Sequence, residues 1–290
     1  MIVVMQDRTI IITGANSGIG KATAMGLAEM GAHVVMVARS RKKGQRAQDN
    51  IRRQTGNDRV DLLIADLSTR DAIRELASEI HSRYHRIDVL VNNAAILTGK
   101  RRTTPEGFET QFFVNHLAYF MLTGLLFERL RESAPSRVVN LASTSHSRGT
   151  INFDDIQYER DYKGWQAYAN TKLMNVVFTY ELARRIAGTG VTANCVHPGV
   201  IHTNLLRNFN ALLNVLFHAL QAFFKKPEDG AETPIFLASS PDVEKVTGKY
   251  FRYCAPVGTS QESNDPAVAR RLWEMSEDLT ECPFPLQAAD

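Results

Sequence analysis

Arg8-Thr9-Ile10-Ile11-Ile12-Thr13 runs directly into Gly14-Ala15-Asn16-Ser17-Gly18-Ile19-Gly20, and then into Lys21–Met30. The first six residues are apolar and β-branched, the pattern of a short buried strand. The last ten carry a helical pattern. Strand, glycine turn and helix is the context in which glycines hold a dinucleotide. Lacking side chains, they let the main chain turn sharply and approach a pyrophosphate closely. The helix start supplies free N–H groups and the positive end of a dipole. The spacing is Gly-x-x-x-Gly-x-Gly rather than Gly-x-Gly-x-x-Gly. A turn that merely needs glycines is the bland alternative, and the flanking strand and helix weigh against it.

The same alternation continues outward. Apolar strand-like runs recur at His33–Ala38, Val60–Ala65, Val89–Asn92, Val138–Ala142 and Val191–His197. Helical patterns separate them at Lys42–Gln54, Arg70–Tyr84, Pro105–Glu132 and Tyr162–Ile186. Strands alternating with helices predict an α/β fold, a doubly wound parallel sheet covered on both faces. Right-handed crossovers then place a binding crevice at the C-terminal ends of the strands.

One pair stands out beyond this pattern. Tyr168 and Lys172 lie four apart in Y-A-N-T-K, on one face of a helix and one turn apart. An ammonium beside a phenol favours the phenolate, so the tyrosine pKa is expected to fall from about 10 toward neutrality. Such a tyrosine passes a proton to or from a carbonyl or alcohol oxygen. Tyr-x-x-x-Lys alone is common on exposed helices, and its company gives it meaning.

Together these features resemble the short-chain dehydrogenases/reductases. The matching pieces are Thr13–Gly20, Asp66-Leu67, Asn92–Ala95, Asn115, Ser143, Tyr168–Lys172 and His197–Gly199, in the family's order. Val138–Ser143, Gly190–Val200, Thr247–Phe251 and the long gap between Ser143 and Tyr168 are most similar to the retinol dehydrogenase group. The resemblance implies a Rossmann-type single domain over residues 1–290, with a helical substrate lid at about 200–226.

Cofactor preference is read from the end of the second strand, Val37-Ala38-Arg39-Ser40-Arg41-Lys42-Lys43. A carboxylate there would bind the ribose 2′-OH and repel a 2′-phosphate. This segment has only cations. Arg39 is expected to stack on adenine and pair with a 2′-phosphate, and Ser40 to donate to the same group. Basic residues at a helix start oppose its dipole, so a bound anion explains them better than a solvated loop. NADP(H) is therefore expected in preference to NAD(H). By resemblance, Gly14, Asn16, Ser17, Gly18, Ile19, Gly20, Asn93 and Ala94 also contact the cofactor. Asp66 holds the adenine amino group, Leu67 gives a main-chain contact, and Asn92 lines the ribose side. Pro198-Gly199 meets the nicotinamide amide, with a main-chain contact from Val200 and Thr203 near the phosphates.

The expected reaction is hydride transfer between nicotinamide and a carbonyl or alcohol, with Tyr168 handling the proton. The resemblance adds a ribose hydrogen bond from Lys172. It selects Ser143 over its neighbours Ser145 and Ser147 as donor to the substrate oxygen. Asn115 lies inside a helical stretch, unfavourable for Asn without a task; in relatives it anchors a water in a proton relay. His197 reads as a support residue. His81 and His85 sit one turn apart without a third ligand, so no metal is expected.

The 290 residues are 44% hydrophobic and 22% charged, an ordinary globular composition. A net charge of +3 does not argue for nucleic acid. Three widely spaced cysteines favour a reducing compartment over a disulfide scaffold. Met1–Met5 is too short for a signal or membrane span, in contrast to many retinol dehydrogenases, so a cytoplasmic protein is expected. Between Phe209 and Phe224 apolar residues recur at helical spacing with no charge until Lys225-Lys226, and Pro227 opens a further helix. In the family this region is the lid. A greasy lid suits a lipophilic aldehyde, ketone or alcohol such as retinal or retinol, and it also suits peripheral contact with a membrane. The insert between Ser143 and Tyr168 is expected to wall the pocket, with Trp165 facing substrate or packing. Relatives often pair through helices matching Pro105–Glu132 and Tyr162–Ile186, and the apolar stripes on these helices suit a homodimer or homotetramer and equally burial within the monomer. Two alternatives stay open: an NADPH-sensing regulator, and a reductase of activated C=C bonds.

Overall fold

The structure, a computed structural model, describes residues 4–199 and 226–285. Its strands are β1 (Thr9–Thr13), β2 (His33–Ala38), β3 (Val60–Ile64), β4 (Val89–Asn92), β5 (Ser136–Leu141), β6 (Val191–Val196), β7 (Tyr250–Arg252) and β8 (Ala255–Val257). They form one sheet in the order β3-β2-β1-β4-β5-β6-β7-β8. All neighbours are parallel except β7 and β8, an antiparallel hairpin. The order reverses between β1 and β4, which opens a crevice at the strands' C-terminal ends.

The longer helices are α1 (Gly18–Glu29), α2 (Arg41–Thr55), α3 (Arg70–Arg83), α4 (Ala118–Glu132), α5 (Gly164–Arg185), α6 (Pro227–Ser239) and α7 (Pro266–Thr280). Side chains alternate across a strand. Ile10 and Ile12 of β1 therefore point toward α1, α2 and α6, where Leu27, Ile51 and Leu237 meet them. Ile11 points the other way, toward the layer that holds Ile80 of α3, Leu122 of α4, Leu173 of α5 and Trp273 of α7. Two cores flanking a doubly wound sheet are the α/β architecture expected from the sequence.

Several boundaries differ from the sequence pattern. α1 begins at Gly18, inside the glycine stretch. The continuous helix expected over Pro105–Glu132 is broken. A short turn at Thr110–Phe112 leads into a π-helical segment, Phe113–Leu117, before α4 starts. α7 and the β7–β8 hairpin have no counterpart in the sequence reading. Asp265 caps α7 by accepting from the main-chain N–H of Ala267, with Pro266 at its first position. That is a start signal the sequence did carry.

α7 also changes the expected pairing surface. Trp273 is buried with its ring centroid 5.0 Å from Phe120 of α4 and 5.9 Å from Phe178 of α5. Phe284 closes over Phe120 and Phe127. These apolar residues of α4 and α5 are thus covered within the chain by its own C-terminal segment.

Below the crevice, polar side chains tie these layers together. Asn92 donates to Asn140 Oδ1 (2.9 Å) and Thr123 Oγ1 (3.0 Å). Asn140 donates to Thr179 Oγ1 (3.0 Å). Thr123 and Thr179 donate in turn to the carbonyls of Tyr119 and Asn175. All four side chains are fully buried. Asn92 therefore faces the interior rather than the ribose side: it is fully buried, and both N–H groups of its amide are taken by Thr123 and Asn140.

Candidate active site

A cleft of about 770 Å³ lies at the sheet's C-terminal edge. Gly14, Asn16, Ser17, Gly18, Ile19 and Gly20 line one end, with Arg39, Ser40, Asp66, Leu67, Asn93 and Ala94 around them. Tyr168, Lys172 and Pro198 line it as well. Lys43, from the cation-rich segment, lines it too, and the sequence reading missed Lys21 and Arg46, which add further positive charge to the wall. Their place on the helices that follow β1 and β2 was the signal available. Val200, Thr203 and the lid segment 209–224 lie outside the described residues.

The glycine turn is shaped by its neighbours. Thr13 Oγ1 accepts from the main-chain N–H groups of Asn93 (2.9 Å) and Ala94 (3.0 Å), which pins β1's end to β4's end. Gly14 then sits at φ +66°, and a Cβ there would stand 2.9 Å from Ala94 Cα. A Cβ on Gly20 would strike the Asn93 amide and stand 2.6 Å from the Gly14 carbonyl. Ser17, the residue before α1, makes no side-chain cap, so the first-turn N–H groups keep their capacity for an anion. At α2, Ser40 caps Lys43 N–H, and no acidic side chain occupies the first turn. A narrow main-chain cradle, an uncapped helix start and a cluster of cations fit a nicotinamide dinucleotide.

Asp66 accepts from Ser68 N–H, which shapes its turn. Asn115 sits in the π-helical segment, and its amide grips Ile96, accepting from Ile96 N–H (2.8 Å) and donating to the Ile96 carbonyl (3.0 Å). It also donates to Thr171 of α5 (3.1 Å). Ile96 lines the cleft, so this bracing is a task that the sequence had not named.

Lys172 is buried and donates to the Leu141 carbonyl at the end of β5 (2.9 Å). Its Nζ lies 5.6 Å from the ring centroids of both Tyr168 and Tyr119. Burial brings the lysine down to about 7. Burial also pushes the Tyr168 phenol above its ordinary value, against a smaller lowering from its hydrogen bond with Ser143. The expectation of an acidified tyrosine is therefore not met in the ligand-free chain. The cause is desolvation: an ammonium that burial itself makes costly cannot supply a full neighbouring charge.

Ser143 and the main chain just after it are held by three residues. Its Oγ accepts from Ser145 N–H (3.1 Å) and donates to Ser145 Oγ (3.2 Å). His146 Nδ1 bonds the Ser143 carbonyl (2.7 Å), and His197 Nδ1 accepts from Thr144 N–H (3.3 Å). Burial holds His197 at about 4, which keeps Nδ1 free to accept. His197 is thus a support residue, as its place before Pro198 suggested. Trp165 is half-exposed, with its ring 5.9 Å from that of Tyr168. His81 bonds the Leu125 carbonyl, and no grouping of metal ligands occurs among the described residues.

Comparison with known proteins decides the family. The family model described as short chain dehydrogenase matches residues 8–214. The chain belongs to the short-chain dehydrogenases. It is an oxidoreductase acting on CH–OH and C=O groups with a nicotinamide cofactor. It is 43% identical over 289 residues to human retinol dehydrogenase 14, covering 94% of this chain and 86% of that protein. Mouse retinol dehydrogenase 12 is also 43% identical, over 272 residues, with the same two coverages. Among solved structures, a Mycobacterium paratuberculosis protein superposes with a TM-score of 0.80 at 34% identity, covering 98% of this chain and 97% of that one. An Escherichia coli short-chain dehydrogenase complexed with NADPH gives 0.69 at 26% identity, covering 87% and 98%. No described helix of this dehydrogenase is long and apolar enough to cross a membrane.

Proposed function

We propose that this dehydrogenase uses NADP(H) to interconvert a lipophilic aldehyde or ketone and its alcohol. The observation that carries the reading is a single cleft with Arg39, Ser40 and Lys43 at one end and Tyr168 and Lys172 at the other. When bound, the dinucleotide supplies or accepts hydride. Gly14, Gly20 and the α1 start receive the pyrophosphate, and Arg39 meets a 2′-phosphate that the absence of a carboxylate at this position leaves unopposed.

The remaining steps belong to the chain. Ser143 donates to the carbonyl oxygen and stabilises the negative charge that develops there. Tyr168 Oη delivers the proton to that oxygen, or removes it in the oxidative direction. Its raised pKa in the ligand-free chain keeps it protonated, the form that reduction requires. Lys172, hydrogen-bonded to β5, holds charge behind the tyrosine and lowers the cost of the phenolate left by transfer. Likeness to proteins named for retinol supports a long apolar substrate, as does the half-exposed Trp165 beside Tyr168.

Assay with NADPH against aliphatic, aromatic and retinoid aldehydes, with enones alongside, tests this reading. Aldehyde turnover that falls by about 10²-fold or more in Tyr168→Phe is expected. Turnover of enones alone, or wild-type rates in that variant, would overturn it.

A further inference from the structure

The Tyr119 side chain has been given no role in the reaction. It is fully buried on α4, one turn after Asn115, and its hydroxyl has no hydrogen-bond partner among the described residues. Its ring faces Lys172, with Nζ 5.6 Å from the centroid, the same distance as from the Tyr168 ring. That is within the range at which an aromatic face attracts a cation. The other groups facing Nζ are the Leu141 carbonyl and, bonded to that same carbonyl, the Asn175 amide. Burial is what lowers the lysine, and no carboxylate among the described residues offsets that desolvation.

We propose that Tyr119 is a positioning residue whose ring, paired with that of Tyr168, sleeves the Lys172 side chain and favours its ammonium form over the free amine. The ring acts and the hydroxyl does not. This rests on the reading of Lys172 as the cation behind the proton donor. It adds an element that neither the glycine turn nor the Tyr168–Lys172 spacing contains.

The test is a direct titration of Lys172 in the ligand-free chain. Protein with ¹³Cε,¹⁵Nζ-labelled lysine is followed by NMR, with the signal assigned by its loss in Lys172→Met. Tyr119→Phe removes an unpartnered buried hydroxyl and is expected to keep the midpoint within about 0.3 of a pH unit. Tyr119→Leu is expected to lower it by about half a unit or more. Should the leucine variant fold poorly, phenylalanines of increasing fluorination at position 119 drain the ring's charge at nearly constant volume. A stepwise fall of the midpoint with each fluorine is then expected. An unchanged midpoint across the fluorinated series, or a fall in Tyr119→Phe as large as in Tyr119→Leu, would overturn the proposal. Because the readout needs no turnover, the sleeve can fail while carbonyl reduction stands, and can stand while no carbonyl reacts.

Discussion

Near neutral pH the buried Lys172 is balanced between ammonium and free amine, since burial brings it down to about 7. The unfolded chain holds that proton up to about 10.4. Between the two values the unfolded state binds more protons than the folded one, so this group's contribution to stability rises with pH. It is complete above the unfolded value and is lost as pH falls through about 7. Lys172→Met removes the penalty of a buried charge. In urea unfolding of the ligand-free chain, the variant's advantage should be on the order of 4 kcal/mol at pH 6 and should shrink steadily toward pH 10. A constant difference across that range would show that the lysine does not titrate there. Activity should be lost in the same variant, which marks the site as one where function is kept at the expense of stability.

At the scale of elements, the proposed function has the β1–α1 turn and the start of α2 divide the cofactor between them. Gly14→Ala would place a Cβ against Ala94 at a left-handed backbone position. It should destabilise the chain by about 2 kcal/mol and weaken NADPH binding by about tenfold or more, read by calorimetry and fluorescence titration. Arg39→Ala should leave NADH binding nearly unchanged while weakening NADPH by about tenfold or more, because only the latter carries the charge that Arg39 meets. Equal losses for both would assign Arg39 to the adenine rather than to the phosphate. These elements were legible because each is local: a strand, a glycine turn and a charge pattern lie within a dozen residues. Tyr168 and Lys172 were legible for the same reason, as one turn of one helix. Asn92 was misplaced because its partners, Thr123 and Asn140, lie 31 and 48 residues away. The pKa of Tyr168 was misread because neighbour charge shows in a sequence and burial does not. Tyr119 was missed because only the fold brings α4 against Lys172.

For the molecule as a whole, the layer opposite α1 depends on its C-terminal helix. Trp273 is buried among Phe120, Phe178 and Phe284, with the Arg185 guanidinium 4.4 Å from its ring centroid. Trp273→Ala should cost about 3–5 kcal/mol in denaturant unfolding and uncover apolar surface on α4 and α5. A loss under 1 kcal/mol would mean that α7 is dispensable cover. The amide and hydroxyl pairs beneath the cleft have a different kind of consequence. Every link hands its hydrogen away from Asn92, outward to a main-chain carbonyl that can only receive. The row is therefore one-way, and no member can be reversed without stranding the next. Asn140→Asp would replace a giver by a second receiver of nearly identical shape. The substitution should accordingly be felt first as a loosening between β5 and α5, the helix that carries Tyr168 and Lys172.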